Sequence, residues 1–184
     1  MKKSALLISI LALFSSFTSK AQEKKAPAIE DFYALSFNTI TGEKFDFKQL
    51  KGKKVLIVNT ASKCGFTPQF KDLEELHKKF GNQLVVLGFP SNDFLNQDPG
   101  TNSEIQSFCE LNYGVTFQMM EKSSVKGKNK SAVYQWLTDP SKNGWCKQEP
   151  SWNFNKYLID ENGNLLGHFG SKVKPLSEEI ISLL

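Results

Sequence analysis

Apolar residues along this chain fall into short continuous runs, separated by polar turns and by one stretch with clear helical spacing. Val55 to Val58 is an unbroken β-branched and aliphatic run and Leu84 to Phe89 is another, the pattern of strands buried on both faces of a helix-covered sheet. Between them Phe70, Leu73, Leu76 and Phe80 recur at helical spacing until Gly81. A helix is predicted there, capped by Thr67 and with Pro68 at its first position. Strand, helix and strand then form a βαβ unit whose two strands run parallel. Upstream, loose apolar alternation from Phe32 to Phe47 around Thr41-Gly42 predicts a β-hairpin, with Phe45 and Phe47 as core candidates. Downstream, Thr101 with Glu104 forms a capping-box pattern opening a short helix. Its inner stripe is Ile105, Phe108 and Cys109, and it ends near Gly114. Val115 to Met120 predicts a strand, Ser131 to Leu137 a helix, and residues 139 to 151 a loop. Phe154 to Ile159 and Leu165 to Phe169 flank an Asn-Gly turn and predict an antiparallel hairpin, before a last helix from Pro175. A parallel unit first and an antiparallel hairpin last describe an α/β, thioredoxin-like fold: a central mixed sheet flanked by helices, with an N-terminal β-hairpin.

The chain ends change the domain reading. Lys2 and Lys3, the apolar run Ala5 to Phe14, and Ser19-Lys20-Ala21 before Gln22 have the layout of a cleavable signal peptide over residues 1–21. Residues 22–31 form a polar, flexible lead, and residues 32–184 a single domain. The expected product is exported, periplasmic or secreted, without stable membrane insertion, because no later run reaches the roughly 18 apolar residues of a spanning helix. The net charge of +4 belongs largely to the leader, which holds three lysines and no acid. Lysine groups at 51–54 and 126–130 lack neighbouring aromatic ladders, so no nucleic-acid partner is expected. His77 and His168 lack ligand spacing and no C-x-x-C-H occurs, so neither metal nor other cofactor is expected.

Candidate chemistry centres on Cys64. It follows a buried strand and precedes a helix N-terminus, where backbone N–H groups, the helix dipole and Lys63 favour a thiolate. The turn around it is polar (Ser62, Lys63, Gly65, Thr67), a poor place for inert apolar filler. Trp152 and Asn153 offer an indole N–H and an amide NH2, both donors at neutral pH.

Four stretches in order, NTASKCGFTPQF, GFPSNDF, QDPGTNSEIQSFCELNYGVTF and WNFNKYLID, make residues 32–184 resemble the cysteine-type thiol peroxidases of the glutathione peroxidase family. The resemblance implies the thioredoxin-like fold, with Cys64 as nucleophile toward a peroxide substrate and Trp152 and Asn153 as its donors. It implies Cys109 as resolving thiol, and a thioredoxin-like protein or glutathione as reductant. Cys109 favours the former. The family's fourth partner, a glutamine in a motif like F-P-C-N-Q-F, falls here on Asp93. An ionised Asp93 would oppose a thiolate, so it is expected to point away, to be screened, or to act as a proton acceptor. Because Cys109 is predicted on the inner face of its helix, forming a disulfide with Cys64 predicts local unfolding of residues 103–112. Two alternatives are an exported thiol-disulfide oxidoreductase, disfavoured by Thr67 in place of a second cysteine, and a binding module whose Cys64 and Cys109 form a structural disulfide. Cys146 has no matching family position, and its role is open. A monomer is expected.

Overall fold

A computed structural model describes residues 25–184; the predicted signal peptide and the first residues of the lead lie outside the described residues. A five-stranded sheet forms the centre, in the order β5-β4-β3-β6-β7. Strand β3 (Lys54–Thr60) pairs parallel with β4 (Leu84–Pro90) through the crossover helix α1 (Gln69–Phe80). On its other side β3 pairs antiparallel with β6 (Lys156–Ile159), which turns back into β7 (Leu165–Phe169). The hairpin of β1 (Ser36–Asn38) and β2 (Lys44–Asp46) is a separate two-stranded sheet. A bridge from Thr39 to Met120 joins it to the end of the main sheet beyond β5 (Gln118–Met119).

Alternation on the strands divides the core in two. Val55 and Ile57 of β3, Leu87 and Phe89 of β4 and Tyr157 and Ile159 of β6 face one apolar cluster, with Trp136 and Leu137 of α3 (Ala132–Leu137) above them. Leu56, Val58, Val86 and Leu158 face the other, covered by α1 and by α2 (Asn102–Tyr113). The period of two along a pleated strand enforces this division, and burial on both faces explains why these strands lack polar alternation.

Some local expectations change. The helix expected from Ser131 begins at Ala132, and the 139–151 loop contains a short helix α4 (Pro140–Asn143). Val115 to Met120 is mostly irregular, because only Gln118 and Met119 pair with β4. The last helix, α5, covers only Glu178–Ile181. The described part of the lead is tied down: Ala28 N–H donates to Asn164 Oδ1, and Ile29 and Glu30 N–H both donate to the Lys142 carbonyl. Those backbone groups find acceptors in α4 and the β6–β7 turn, which composition alone does not reveal.

Candidate active site

Cys64 lies in a chain of tight turns between β3 and α1, with Thr67 N–H bonded to the Cys64 carbonyl and Gln69 N–H to that of Phe66. It is nearly buried, at 9% exposure. Thr67 was predicted as the helix cap, but the N-cap position is Pro68, with no side-chain capping bond. The Thr67 side chain instead turns inward: its hydroxyl accepts from Cys64 N–H at 3.0 Å and donates to the Ala61 carbonyl at 2.9 Å. It therefore shapes the cysteine turn. The Phe66 N–H points at the sulfur, with N···Sγ 3.4 Å, one backbone donor toward negative charge there.

The second component is residues 151–155, just before β6. Trp152 packs its ring against Phe94, centroids 5.6 Å apart, and contacts both apolar clusters. Among the described residues its indole N–H has no hydrogen-bond partner. Asn153 is fully buried and donates from Nδ2 to Gln97 Oε1 at 2.9 Å. One of its two amide hydrogens is thereby used and the other remains available. Phe154 holds a left-handed backbone, φ 61°, unfavourable for a residue with a large side chain. Asn59, buried on β3, fixes that geometry. Its Nδ2 donates to the Trp152 carbonyl at 3.0 Å, its Oδ1 accepts from Asn155 N–H at 2.9 Å, and its backbone carbonyl accepts from Phe154 N–H at 2.6 Å. Sequence reasoning missed this clamp, since an asparagine at the end of an apolar strand has no visible partner until β6 lies beside it.

The third component is the loop of residues 91–100 leaving β4. The Asp93 carboxylate is taken up by residues 124–126. Its Oδ2 accepts from Val125 N–H at 2.7 Å, Ser124 Oγ at 3.0 Å and Lys126 N–H at 3.3 Å. Three donors in one short segment satisfy the carboxylate there. Gln97, four residues on, joins the other two components: its carbonyl accepts from Lys63 N–H at 2.9 Å and its Oε1 from Asn153. Gln97 belongs to Gln97-Asp98-Pro99-Gly100, a stretch already matched to the family.

Cys109 lies on α2 with 1% exposure, in the same apolar cluster as Cys64. Burial, with the charges of Asp98 and Glu110 added, pushes its thiol up to about 12. The predicted capping box is present: Glu104 N–H donates to Thr101 Oγ1 at 3.3 Å, and Thr101 N–H donates to Glu104 Oε2 at 2.7 Å. Gly114 closes the helix in a left-handed conformation, φ 61°. Only Ile105 and Cys109 of its twelve residues are buried. Phe108, predicted on the inner stripe, is half-buried, and Leu111 is 86% exposed. Clefts lie on two sides of α2. One of about 570 Å³ is bounded by Ile40, Glu43, Cys109, Val115 and Phe117; the other, about 390 Å³, by Ser62, Lys63, Ile105 and Phe108.

All three cysteines are free thiols. Cys146 is buried in the other cluster, across the sheet from Cys64 and Cys109, with its Sγ 3.1 Å from Gln148 Oε1. The sheet separates it from both. Beside Trp152 lies a cavity of about 430 Å³, lined by Phe66, Ser151, Ser171 and Val173 among others. Cys64 and Cys109 thus share one apolar cluster, against which Trp152 also packs, and the Asn153 amide is held by Gln97.

The glutathione peroxidase family model matches residues 32–138. The glutathione peroxidase-like peroxiredoxin 2 of Saccharomyces cerevisiae is 51% identical over 156 residues, 83% of this chain and 96% of that protein. Among solved structures, Trgpx in apo form is 35% identical with TM-score 0.64, covering 84% of this chain and 95% of that one. A thioredoxin-family thiol:disulfide interchange protein from Chlorobium tepidum is 18% identical with TM-score 0.58, covering 89% and 98%. At that identity the likeness is one of fold alone.

Proposed function

This chain belongs to the glutathione peroxidase family and is a thiol peroxidase acting on hydroperoxides, and from that premise we propose a two-cysteine cycle run by Cys64 and Cys109. The Cys64 thiolate attacks the terminal peroxide oxygen, the O–O bond breaks, and the alkoxide or hydroxide leaves and is protonated. Cys64 becomes a sulfenic acid. Trp152 N–H and the unused Asn153 amide hydrogen donate first to the sulfur and then to the departing oxygen, which changes the charge they face without moving them. Gln97 holds the Asn153 amide in that orientation. Cys109 then attacks the Cys64 sulfur, forming a disulfide and releasing water. A thioredoxin-like dithiol protein, in preference to glutathione, reduces the disulfide.

One observation carries the second half of the cycle: a free thiol in the same apolar cluster as Cys64, on a helix capped at both ends yet buried through only two side chains. Such a helix can open as a unit while the sheet stays intact. The leader at residues 1–21 supports export, which places the work in a periplasmic or secreted setting, and a monomer suffices because one chain supplies every group named. Stopped-flow oxidation of the reduced mature protein by hydrogen peroxide, with mass spectrometry of the cysteines, tests the reading. Fast oxidation that is lost in Cys64→Ser, a Cys64–Cys109 disulfide in the unaltered protein, and a trapped sulfenic acid in Cys109→Ser are expected. Oxidation insensitive to Cys64→Ser would overturn it.

A further inference from the structure

The segment of residues 152–155 is held from both strands that flank β6. Asn59 comes from β3; on the other side, just past β7, stands Ser171. The Ser171 hydroxyl donates to the Asn153 carbonyl at 2.6 Å and accepts from Asn155 Nδ2 at 3.1 Å. Its carbonyl in turn accepts from Gln69 Nε2 at 2.7 Å and lies 3.5 Å from Lys156 Nζ. Lys156, the first residue of β6, has 0% exposure, and its Nζ also donates to Gln69 Oε1 and to the Val173 carbonyl, both at 2.5 Å. Three donors of one ammonium thus meet three acceptors, all of them neutral. Burial pulls the amine down to about 7, with the charge of Asp72 opposing. An ammonium buried among neutral acceptors opposes folding, and an apolar side chain would fill the space better. What the lysine joins supplies the reason for it. Gln69 opens α1, the helix that follows the turn of Cys64, and Ser171 holds the backbone of Asn153. Lys156 therefore connects the element behind the nucleophile with the element that carries its donors.

We propose that Lys156 is a positioning residue for the peroxide step: through Gln69 and Ser171 it sets the place of Trp152 and Asn153 relative to the Cys64 turn. The proposal rests on the reading of Trp152 and Asn153 as donors. Phe154, next to them, is left-handed at φ 61°, and a backbone in that region persists only where its surroundings over-determine it. Asn59 fixes the Trp152 carbonyl and the N–H groups of Phe154 and Asn155. The Asn153 carbonyl between them is fixed by Ser171. Without the ammonium, Gln69 Oε1 and the Val173 carbonyl lose the donor that Lys156 gives them, and residues 171–173 can shift together with the Asn153 backbone. A misplacement of about 1 Å is enough to lower a rate by a large factor. A fixed donor stabilises the departing oxygen only where that oxygen forms. The hydrogen bonds of Lys156 reach neither Cys64 nor Trp152, so its effect is one of placement.

Lys156→Met keeps an unbranched side chain and removes its donors. In stopped-flow mixing of the reduced protein with hydrogen peroxide, Cys64 oxidation should slow by about tenfold, part of the roughly hundredfold lost when an oxyanion donor is deleted. Alkylation of Cys64 by iodoacetamide, followed by mass spectrometry, releases iodide and no oxygen anion. Its rate should stay within about twofold of the parent, because donors aimed at a departing oxygen do not act in that reaction. Equal slowing of the two reactions, the mark of a disturbed cysteine turn, would overturn the proposal, as would peroxide oxidation at the parent rate. Ser171→Ala cuts the connection at its last link and should slow oxidation by a similar factor. Added to Lys156→Met it should change the rate by less than about twofold more, since both act through one connection; two effects that simply multiply would overturn the idea. Should Lys156→Met fail to fold, Gln69→Met removes the amide between the lysine and Ser171, and the same pair of rates decides. Asn153→Ala at the parent oxidation rate would instead refute the donor reading itself, and the proposal with it.

Discussion

Helices α1 and α2 are both twelve residues long, both lie on the same apolar cluster, one follows the turn of Cys64 and the other carries Cys109, yet they are held in opposite ways. α1 buries Gln69, Phe70, Leu73, Glu74 and Leu76. Its first residue is fastened twice, Gln69 Nε2 donating to the Ser171 carbonyl at 2.7 Å and Gln69 Oε1 accepting from Lys156 Nζ at 2.5 Å. Farther along, the Glu74 carboxylate accepts from Thr116 N–H at 2.7 Å and from its hydroxyl at 2.6 Å. Burial raises that carboxyl, but the Thr116 bonds and Lys78 outweigh it and hold Glu74 below the usual range. α2 buries two side chains and relies on its caps. Packing holds a helix to the rest of the protein, whereas caps hold a helix to itself. In the proposed cycle the helix behind Cys64 keeps a turn in place, whereas the helix bearing Cys109 has to release it.

Leu73→Ala tests the comparison most severely. This fully buried α1 side chain should cost about 2–5 kcal/mol of global stability in urea unfolding, the range for buried Leu to Ala. A loss under ~1 kcal/mol would show that α1 is not the anchored partner. Ile105→Ala removes half of the buried residues of α2. Amide exchange across residues 102–113 should then rise by about tenfold or more, because local opening needs less free energy, while exchange in α1 stays unchanged and the disulfide forms faster. Equal acceleration in both helices would mean that α2 opens only with the whole domain.

A pH series sharpens the same contrast. Cys109 is raised to about 12 in the folded state, so its contribution to holding α2 closed is fully present below the ordinary thiol pKa of about 8.5 and fades as pH rises from there toward the folded value. After correction for intrinsic exchange rates, α2 opening should grow above about pH 8.5 in the parent and not in Cys109→Ser; identical pH dependence in the two proteins would refute it. Asp93→Gln should leave the Cys64 oxidation rate within about twofold, since the carboxylate serves residues 124–126, and lower stability by about 1–2 kcal/mol through weaker bonds there. A large loss of rate would restore Asp93 to the site. Leu111→Ser, on the exposed side of α2, should change stability by less than about 0.5 kcal/mol, measured by thermal unfolding; a larger loss would mean that this face is covered.

Local chemistry made much of this legible. Continuous apolar runs marked β3 and β4 because a doubly covered strand has no polar face, and the capping box from Thr101 to Glu104 was visible because both its groups lie within one turn. Cys64, Trp152, Asn153 and Cys109 became candidates through motifs whose order along the chain is itself information. Hidden were the contacts made between segments distant in sequence. Asn59 looked like the end of a strand until it proved to clamp residues 152–155, and Thr67 looked like a cap until its hydroxyl proved to close the Cys64 turn.

The sequence by itself determined the order of elements, the division of the strands between two core faces, and the identity of the thiols, because propensity, capping and alternation act over a few residues. Only the tertiary structure decided what each polar side chain around those thiols is bonded to. Asp93 and Gln97 lie four residues apart in one loop and find different partners. The donors of residues 124–126 hold one and the Asn153 amide holds the other. A buried polar group goes where its partners are, and those partners come from strands and loops that meet only when the sheet is assembled.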